Sequence, residues 1–320
     1  MYSNAGTFFG FKRGQWERSL ELYETSVLLR ESLAALDPTQ HRFRNALAGG
    51  YNNVGLALYQ AKKIDEAHEA FQRAAAIREK LIEDYPSIPQ YAKELGDTYT
   101  NLGTFSAKQG RPGESVEYYE KSVKHFKRLT DSHPQIAAYP KHAIDSLVSI
   151  AQLEPFTKKG QDAVETTVEL YSRLLQARPE SRAYRRLLTL YSAFLPGVEP
   201  KQLLELSDPF SVERDPNSDE LTVRALALYR SGRVQEAADH LQAIPAKQVD
   251  QRAQLLSVMV LADQDDERAV NQYAKVKRSI AKKKYPDYEI LVLAKEADTR
   301  LAAMAHRQAI LESQGSVDDE

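Results

Sequence analysis

The sequence contains no cysteine, one tryptophan and three methionines in 320 residues. The missing thiols exclude disulfides, thiolate metal sites and a cysteine nucleophile. Charge of one sign is also lacking. Lys and Arg number 43 against 45 Asp and Glu, a net charge of -2, so there is no basic excess to hold nucleic acid or an acidic membrane. No apolar run approaches the roughly 18 residues that span a bilayer. Residues 1–14 place Lys12 and Arg13 after their aromatic residues and have no apolar stretch, which argues against a secretory signal. These absences predict a cytoplasmic chain with neither nucleic-acid nor membrane partners. The 42% of hydrophobic residues suffices for a core.

What is present is a repeat with a period of 48 residues. Small residues recur at Ser19, Ala67 and Ser115, and aromatic ones at Tyr23, Phe71 and Tyr119. Ser26, Ala74 and Ser122 are small again, Leu33, Leu81 and Leu129 are apolar, and Pro38, Pro86 and Pro134 close each unit. A fixed period over three copies is the signature of a stacked array.

Each unit reads as two helices. In residues 42–62, Phe43, Leu47, Tyr51, Val54 and Leu58 recur at steps of three and four, as one face of a helix requires. Ala67, Phe71, Ala74, Ile77 and Leu81 do the same in residues 64–84, and Pro86 ends the run. The pattern continues through residues 91–105 and 116–129, with Gln109-Gly110-Arg111-Pro112 as the turn, then 140–153 and 161–177, with Lys158-Lys159-Gly160 read as the turn between the last two. A lone helix is expected at 181–195. Pro196, Gly197, Pro200, Pro209 and Pro216 then mark a joint, with a short helix at 201–206. Beyond it the period shortens, with helices at 221–231, 234–243, 248–262 and 267–283, and a capping helix at 287–305. The expected domains are therefore a long-period array at 1–196, a joint at 197–216, short-period pairs with a cap at 217–306, and an acidic flexible tail at 307–320.

Val54-Gly55 followed by Ala67, Phe71 and Ala74 resembles the tetratricopeptide repeat (TPR), as does Leu102-Gly103 followed by Ser115, Tyr119 and Ser122. The interval from the glycine to the small residue is 12 in both, and again from Ala225 to Ala237. The resemblance implies an all-α, right-handed solenoid of antiparallel helix hairpins, in which small residues let the helices approach and the aromatic fills the gap. It also implies a non-catalytic protein-binding scaffold without cofactor or metal, whose concave groove takes a peptide or helix of a partner protein. Asn53 and Asn101 precede the Val-Gly and Leu-Gly pairs, where family members bond a peptide backbone. Asn52, Tyr99 and Thr100 stand beside them. Gly49 and Asp97 occupy the places of the cations that clamp a terminal carboxylate, so no such clamp is expected. The period departs from the family's usual value of about 34 residues. The excess of 14 is close to four helical turns of about 3.6 residues, which would lengthen one edge and line it with Phe43, Tyr91 and Tyr139.

Long repeats of this kind also resemble the C-terminal regions of large bacterial serine/threonine protein kinases, with Ala76-Ile77-Arg78-Glu79-Lys80-Leu81 as the carrying phrase. This gives the alternative of a regulatory or docking segment of such a kinase. No kinase motif is present: there is no glycine-rich nucleotide loop, and His41-Arg42-Phe43 lacks the catalytic aspartate. The basic run from Lys275 to Lys284 reads as a solvated helix end, and Asp263, Asp265, Asp266 and Glu267 lack the glycine and spacing of a calcium loop. Asn4-Ala5-Gly6 matches Asn101-Leu102-Gly103 with one residue inserted before Ser19. Met1 then falls inside the first helix of a truncated repeat. Leu22, Leu29 and Leu33 should be uncovered, and the edge could meet another domain or a second copy of the chain.

Overall fold

A computed structural model of the chain describes residues 2–210, 216–283 and 286–315. Lys284 and the end of the acidic tail lie outside the described residues. Every regular element is helical among those described. They form two compact units, Met1–Ser149 and Ile150–Glu320. The fold is all-α, built from TPR-like antiparallel hairpins.

The first unit comprises α1 (Tyr2–Thr7), α2 (Trp16–Leu36), α3 (His41–Gln60), α4 (Ile64–Asp84), α5 (Pro89–Lys108), α6 (Pro112–Ser132) and most of α7 (Ala138–Leu153). The 48-residue period is legible in the backbone. Gly14, Lys62 and Gly110 are one period apart and all take positive φ, at 66°, 63° and 79°. Each ends the first helix of a hairpin in the left-handed conformation that lets the next backbone N–H reach back. Lys63 N donates to Leu58 O and Arg111 N to Ser106 O, both at 2.9 Å. The residue inserted near the N-terminus is absorbed as a π-helical turn, Phe8–Lys12, the usual way a helix takes up one extra residue. The register beyond it is intact. Ser19 Oγ donates to Gly6 O at 2.8 Å, as Ser115 Oγ does to Gly103 O at 2.6 Å.

The large-and-small packing is tight. A Cβ built on Gly6, Gly55 or Gly103 would stand 2.7 to 2.9 Å from the ring of Tyr23, Phe71 or Tyr119. The flanking repeats add polar links that the middle one lacks. Thr7 and Thr104 hydroxyls meet those of Tyr23 and Tyr119, and Ser3 and Thr100 meet Ser26 and Ser122. The middle repeat has Phe71 and Ala74 there and makes neither hydroxyl link, although Arg44 of α3 pairs with Asp84 of α4 at 2.8 Å further along.

A second periodic position shows three solutions to one packing problem. Arg30, Arg78 and Phe126 are 48 residues apart. Arg30 donates to Ala46 O at 3.0 Å. Arg78, only 4% exposed, meets Glu94 at 3.1 Å and Thr98 Oγ1 at 2.6 Å. Phe126 stacks on His142 at 4.8 Å over Gly96, whose Cβ would stand 2.6 Å from the ring. Ala46, Glu94 and His142 are also one period apart. An arginine–glutamate pair in one repeat is thus a phenylalanine–histidine stack in the next. Burial pulls the Arg78 guanidinium below its ordinary pKa, with Glu94 opposing the shift.

Other expectations are corrected. Leu22, expected to be uncovered, is half-covered, while Leu29 and Leu33 are exposed as expected, joined by Leu28 and Leu36. The aromatics expected to line an elongated edge are packed inward instead: Tyr91 and Tyr139 are buried and Phe43 is half-buried. Tyr91 is hydrogen-bonded to His41, whose ring lies 4.6 Å from that of Tyr85. Added turns at adjacent helix ends cover one another, so their aromatics have a hydrophobic reason to turn in.

The second unit takes in the end of α7, then α8 (Lys158–Ala177), α9 (Arg182–Ser192), α10 (Pro200–Ser207), α11 (Ser218–Arg230), α12 (Val234–Gln242), α13 (Gln251–Asp263), α14 (Arg268–Ile280) and α15 (Tyr288–Gly315). Lys158, Lys159 and Gly160 form the first turn of α8, because Thr157 Oγ1 caps it by accepting from Gly160 N. The stretch expected as a joint packs into this unit. Leu203 and Phe210 are buried, and Arg224 donates to Leu204 O and Ser207 Oγ, both at 2.8 Å. Residues 211–215 of that stretch are outside the description. A capping box, Asn217 with Glu220, opens α11, which is buried from Glu220 to Tyr229. α15 runs past the expected end at Ala305 to Gly315. The acidic residues at the turn before α14 are used internally: Asp263 accepts from Tyr229, Asp265 from Arg307 and Asp266 from Arg268.

Candidate functional site

The first helices of the hairpins, α3, α5 and α7, touch one another directly. Asn52 Nδ2 donates to Thr98 Oγ1 at 3.2 Å, and Thr100 Oγ1 lies 3.2 Å from Ser146 Oγ. Each helix keeps one face away from its second-helix neighbours. Positions 42, 46, 49, 53, 56 and 60 of α3, and 90, 93, 97, 101, 104 and 108 of α5, each form a stripe at steps of three and four that is exposed at its ends and half-buried between them. Asn53 and Asn101 fall in these stripes, one period apart. Both are half-buried, and neither amide has a hydrogen-bond partner among the described residues. Asp97, one turn before Asn101, accepts from Lys93 at 2.7 Å and lies 3.5 Å from His142. The stripe therefore presents two free amides, each a donor and an acceptor, beside one locally balanced carboxylate.

The other three residues singled out from the sequence turn elsewhere. Asn52 is engaged with Thr98 between α3 and α5. Thr100 bonds Ser122 of α6 at 2.8 Å as well as Ser146. Tyr99 is 5% exposed, its hydroxyl bonded to Glu79 of α4 and its ring stacked on Tyr118 and His125 of α6. Burial, reinforced by Glu79, raises the Tyr99 phenol above its ordinary pKa. These residues fix the stack and leave Asn53 and Asn101 as the amides presented outward.

Sequence reasoning missed the pairs that hold Tyr99 and its predecessor. Tyr51 donates to Glu31 as Tyr99 does to Glu79. Both pairs are 20 residues apart and 48 from each other. That double spacing was the available signal. No group of His, Cys, Asp or Glu among the described residues is arranged to hold a metal ion. No described helix is long and apolar enough to cross a membrane.

Residues 47–84 and 95–135 match the family model for the tetratricopeptide repeat. No curated protein matches the chain. Among solved structures, a tetratricopeptide repeat protein from Parabacteroides merdae superposes with a TM-score of 0.53 at 12% identity, over 92% of this chain and 97% of that one. The assembly chaperone of RpL4 (Acl4) aligns over 96% of this chain and 98% of its own, with 14% identity and a TM-score of 0.36. Yeast Tom70 aligns over 97% and 96%, with 11% identity and a TM-score of 0.33. The last two superpose too loosely to bear on the fold. The matches reach the tetratricopeptide repeat and give no likeness to the kinase regions. The chain has an all-α fold of TPR-like helical hairpins, and residues 47–84 and 95–135 are similar to the tetratricopeptide repeat.

Proposed function

We propose that the chain is a non-catalytic protein-interaction scaffold whose first unit binds an extended segment of a partner across the outer faces of α3 and α5. The observation that carries this reading is the pair of unsatisfied amides, Asn53 and Asn101, held one repeat apart on the same stripe. An extended peptide crossing the stripe from α3 to α5 would offer backbone amides to both asparagines. An amide can both donate to and accept from a peptide unit, so such a contact tolerates many side chains. Specificity would come from neighbours such as Leu56, Asp97 and Thr104.

The test is affinity capture from a lysate of the source cells with the full chain, followed by mass spectrometry, and repeated with the Asn53→Ala/Asn101→Ala double variant. Loss of a defined set of partners supports the reading. Partners retained in full by the folded double variant refute it.

A further inference from the structure

The second unit holds a cavity that the repeat pattern did not signal. It measures about 490 Å³, within the size range of ligand sites. It lies among the loop before α8, the loop after α9, the end of α11 and the face of α15. Phe156, Phe194, Tyr288 and Val292 give it apolar walls. Phe156 is 51% exposed, an aromatic ring at the rim of the cavity. Phe194 meets Tyr288 edge-on at 5.9 Å.

The charges in the cavity do not balance. Lys295 sets its ammonium 4.4 Å from the centre of the Phe156 ring, and no carboxylate pairs with it among the described residues. Arg230 donates to Glu296 at 2.7 Å and lies 5.9 Å from the Phe194 ring. Its buried Nε–H has no acceptor. Two cations thus face one carboxylate, inside walls that favour an aromatic guest. An ammonium with no carboxylate partner calls for an anionic acceptor, and offset or edge-on ring packing adds to the burial of an aromatic side chain.

We propose that this cavity is a docking pocket for an acidic segment of a partner protein, in which one aromatic side chain enters between Phe156 and Phe194 and a neighbouring carboxylate meets Lys295 and Arg230. The site is in the other unit from Asn53 and Asn101 and does not depend on their role. Both Phe156 and Lys295 are exposed, so substituting them leaves the core untouched.

Fluorescence anisotropy of the full chain with a fluorescein-labelled, amidated peptide, Asp-Asp-Phe-Asp-Asp, tests the proposal. Two control peptides replace the phenylalanine by alanine or the aspartates by lysines. Saturable binding is expected for the first peptide. Each control should weaken it about tenfold or more, the factor corresponding to 1.4 kcal/mol. Lys295→Glu should have an effect of the same size, and Phe156→Ala a smaller loss. The Asn53→Ala/Asn101→Ala variant should bind the peptide as the parent chain does. Equal binding of the alanine peptide would reduce the interaction to charge attraction and overturn the proposal. So would the absence of binding, or an affinity unchanged in both Lys295→Glu and Phe156→Ala. If free N-acetylphenylalanine competes as well as the peptide does, the occupant is a small aromatic acid and the protein-docking claim fails.

Discussion

Two glycines on one helix should respond in opposite directions to the same substitution. In Gly55→Ala, the new Cβ would stand 2.7, 2.8 and 2.9 Å from three ring carbons of Phe71. Carbon atoms rest at about 3.5–4.0 Å, so the ring or the helix must give way by most of an ångström. Phe71 is fully buried and cannot swing into solvent. Overpacking of this kind costs about 1–3 kcal/mol, and three ring atoms in conflict place it near the upper end. Alanine recovers about 1 kcal/mol of helix propensity, for a net loss of about 2 kcal/mol. In Gly49→Ala the nearest atom to the new Cβ is Arg78 Nη2 at 4.0 Å, so the propensity gain of about 1 kcal/mol stands alone. Urea unfolding followed by circular dichroism should separate the two variants by about 3 kcal/mol. Repeating Gly55→Ala in a Phe71→Leu background should shrink its cost. A Gly55→Ala chain as stable as the Gly49→Ala chain would refute the tight α3–α4 packing on which the repeat assignment rests.

Further outcomes are expected. Lys62→Gly should stabilise the chain by about 0.5–1 kcal/mol in the same assay, because a side chain in the left-handed region is strained and glycine there is not. Arg78→Leu should cost about 3 kcal/mol, since it leaves Glu94 without its buried partner. Arg78→Phe combined with Ala48→Gly and Glu94→His imports the next repeat's packing and should restore much of that loss. Glu220 accepts from Arg182 at 2.7 and 2.8 Å, and that bond first, then the Asn217 backbone, holds its carboxyl below the ordinary 4.5. The folded-state pKa is thus lowered. The stabilisation is complete above the unfolded value of 4.5 and is lost as pH falls through the folded value. Glu220→Gln should therefore lower the urea midpoint at pH 7 and flatten its fall below pH 4.5. A parallel acid limb in both proteins would contradict the assignment.

The parts of the fold set by spacing could be read from the sequence, and the parts set by direction could not. Ala67, Phe71, Ala74 and Leu81 recur at helical intervals, so the span Ile64–Asp84 follows from pattern alone. Lys62 shows nothing of its left-handed backbone by residue type, and only its position between Gly14 and Gly110 reveals it. At the candidate site, Tyr99, Thr100 and Asn101 are consecutive. Each step along a helix turns the side chain by about 100°, so three neighbours cannot share a face. The stripe keeps Asn101, while Tyr99 points toward the second helices and Thr100 into the stack. The compact fold of 197–210 was hidden for a different reason. Its prolines read as breaks, yet Pro200 opens α10 at the first helical turn, where a missing N–H costs nothing. Leu203 and Phe210 then bury it against α11.

The claim that the chain binds a partner along the outer stripe of its first helices is tested most directly by site-specific photo-crosslinking. A benzoylphenylalanine would replace Leu56 or Thr104 on the stripe, or Glu120 on the second-helix side, with Asn53 and Asn101 kept, and each chain would be irradiated in a lysate of the source cells. The account predicts discrete crosslinked species, shared by positions 56 and 104, that position 120 does not give. Crosslinks confined to position 120, or none at 56 and 104 in folded protein, would contradict it.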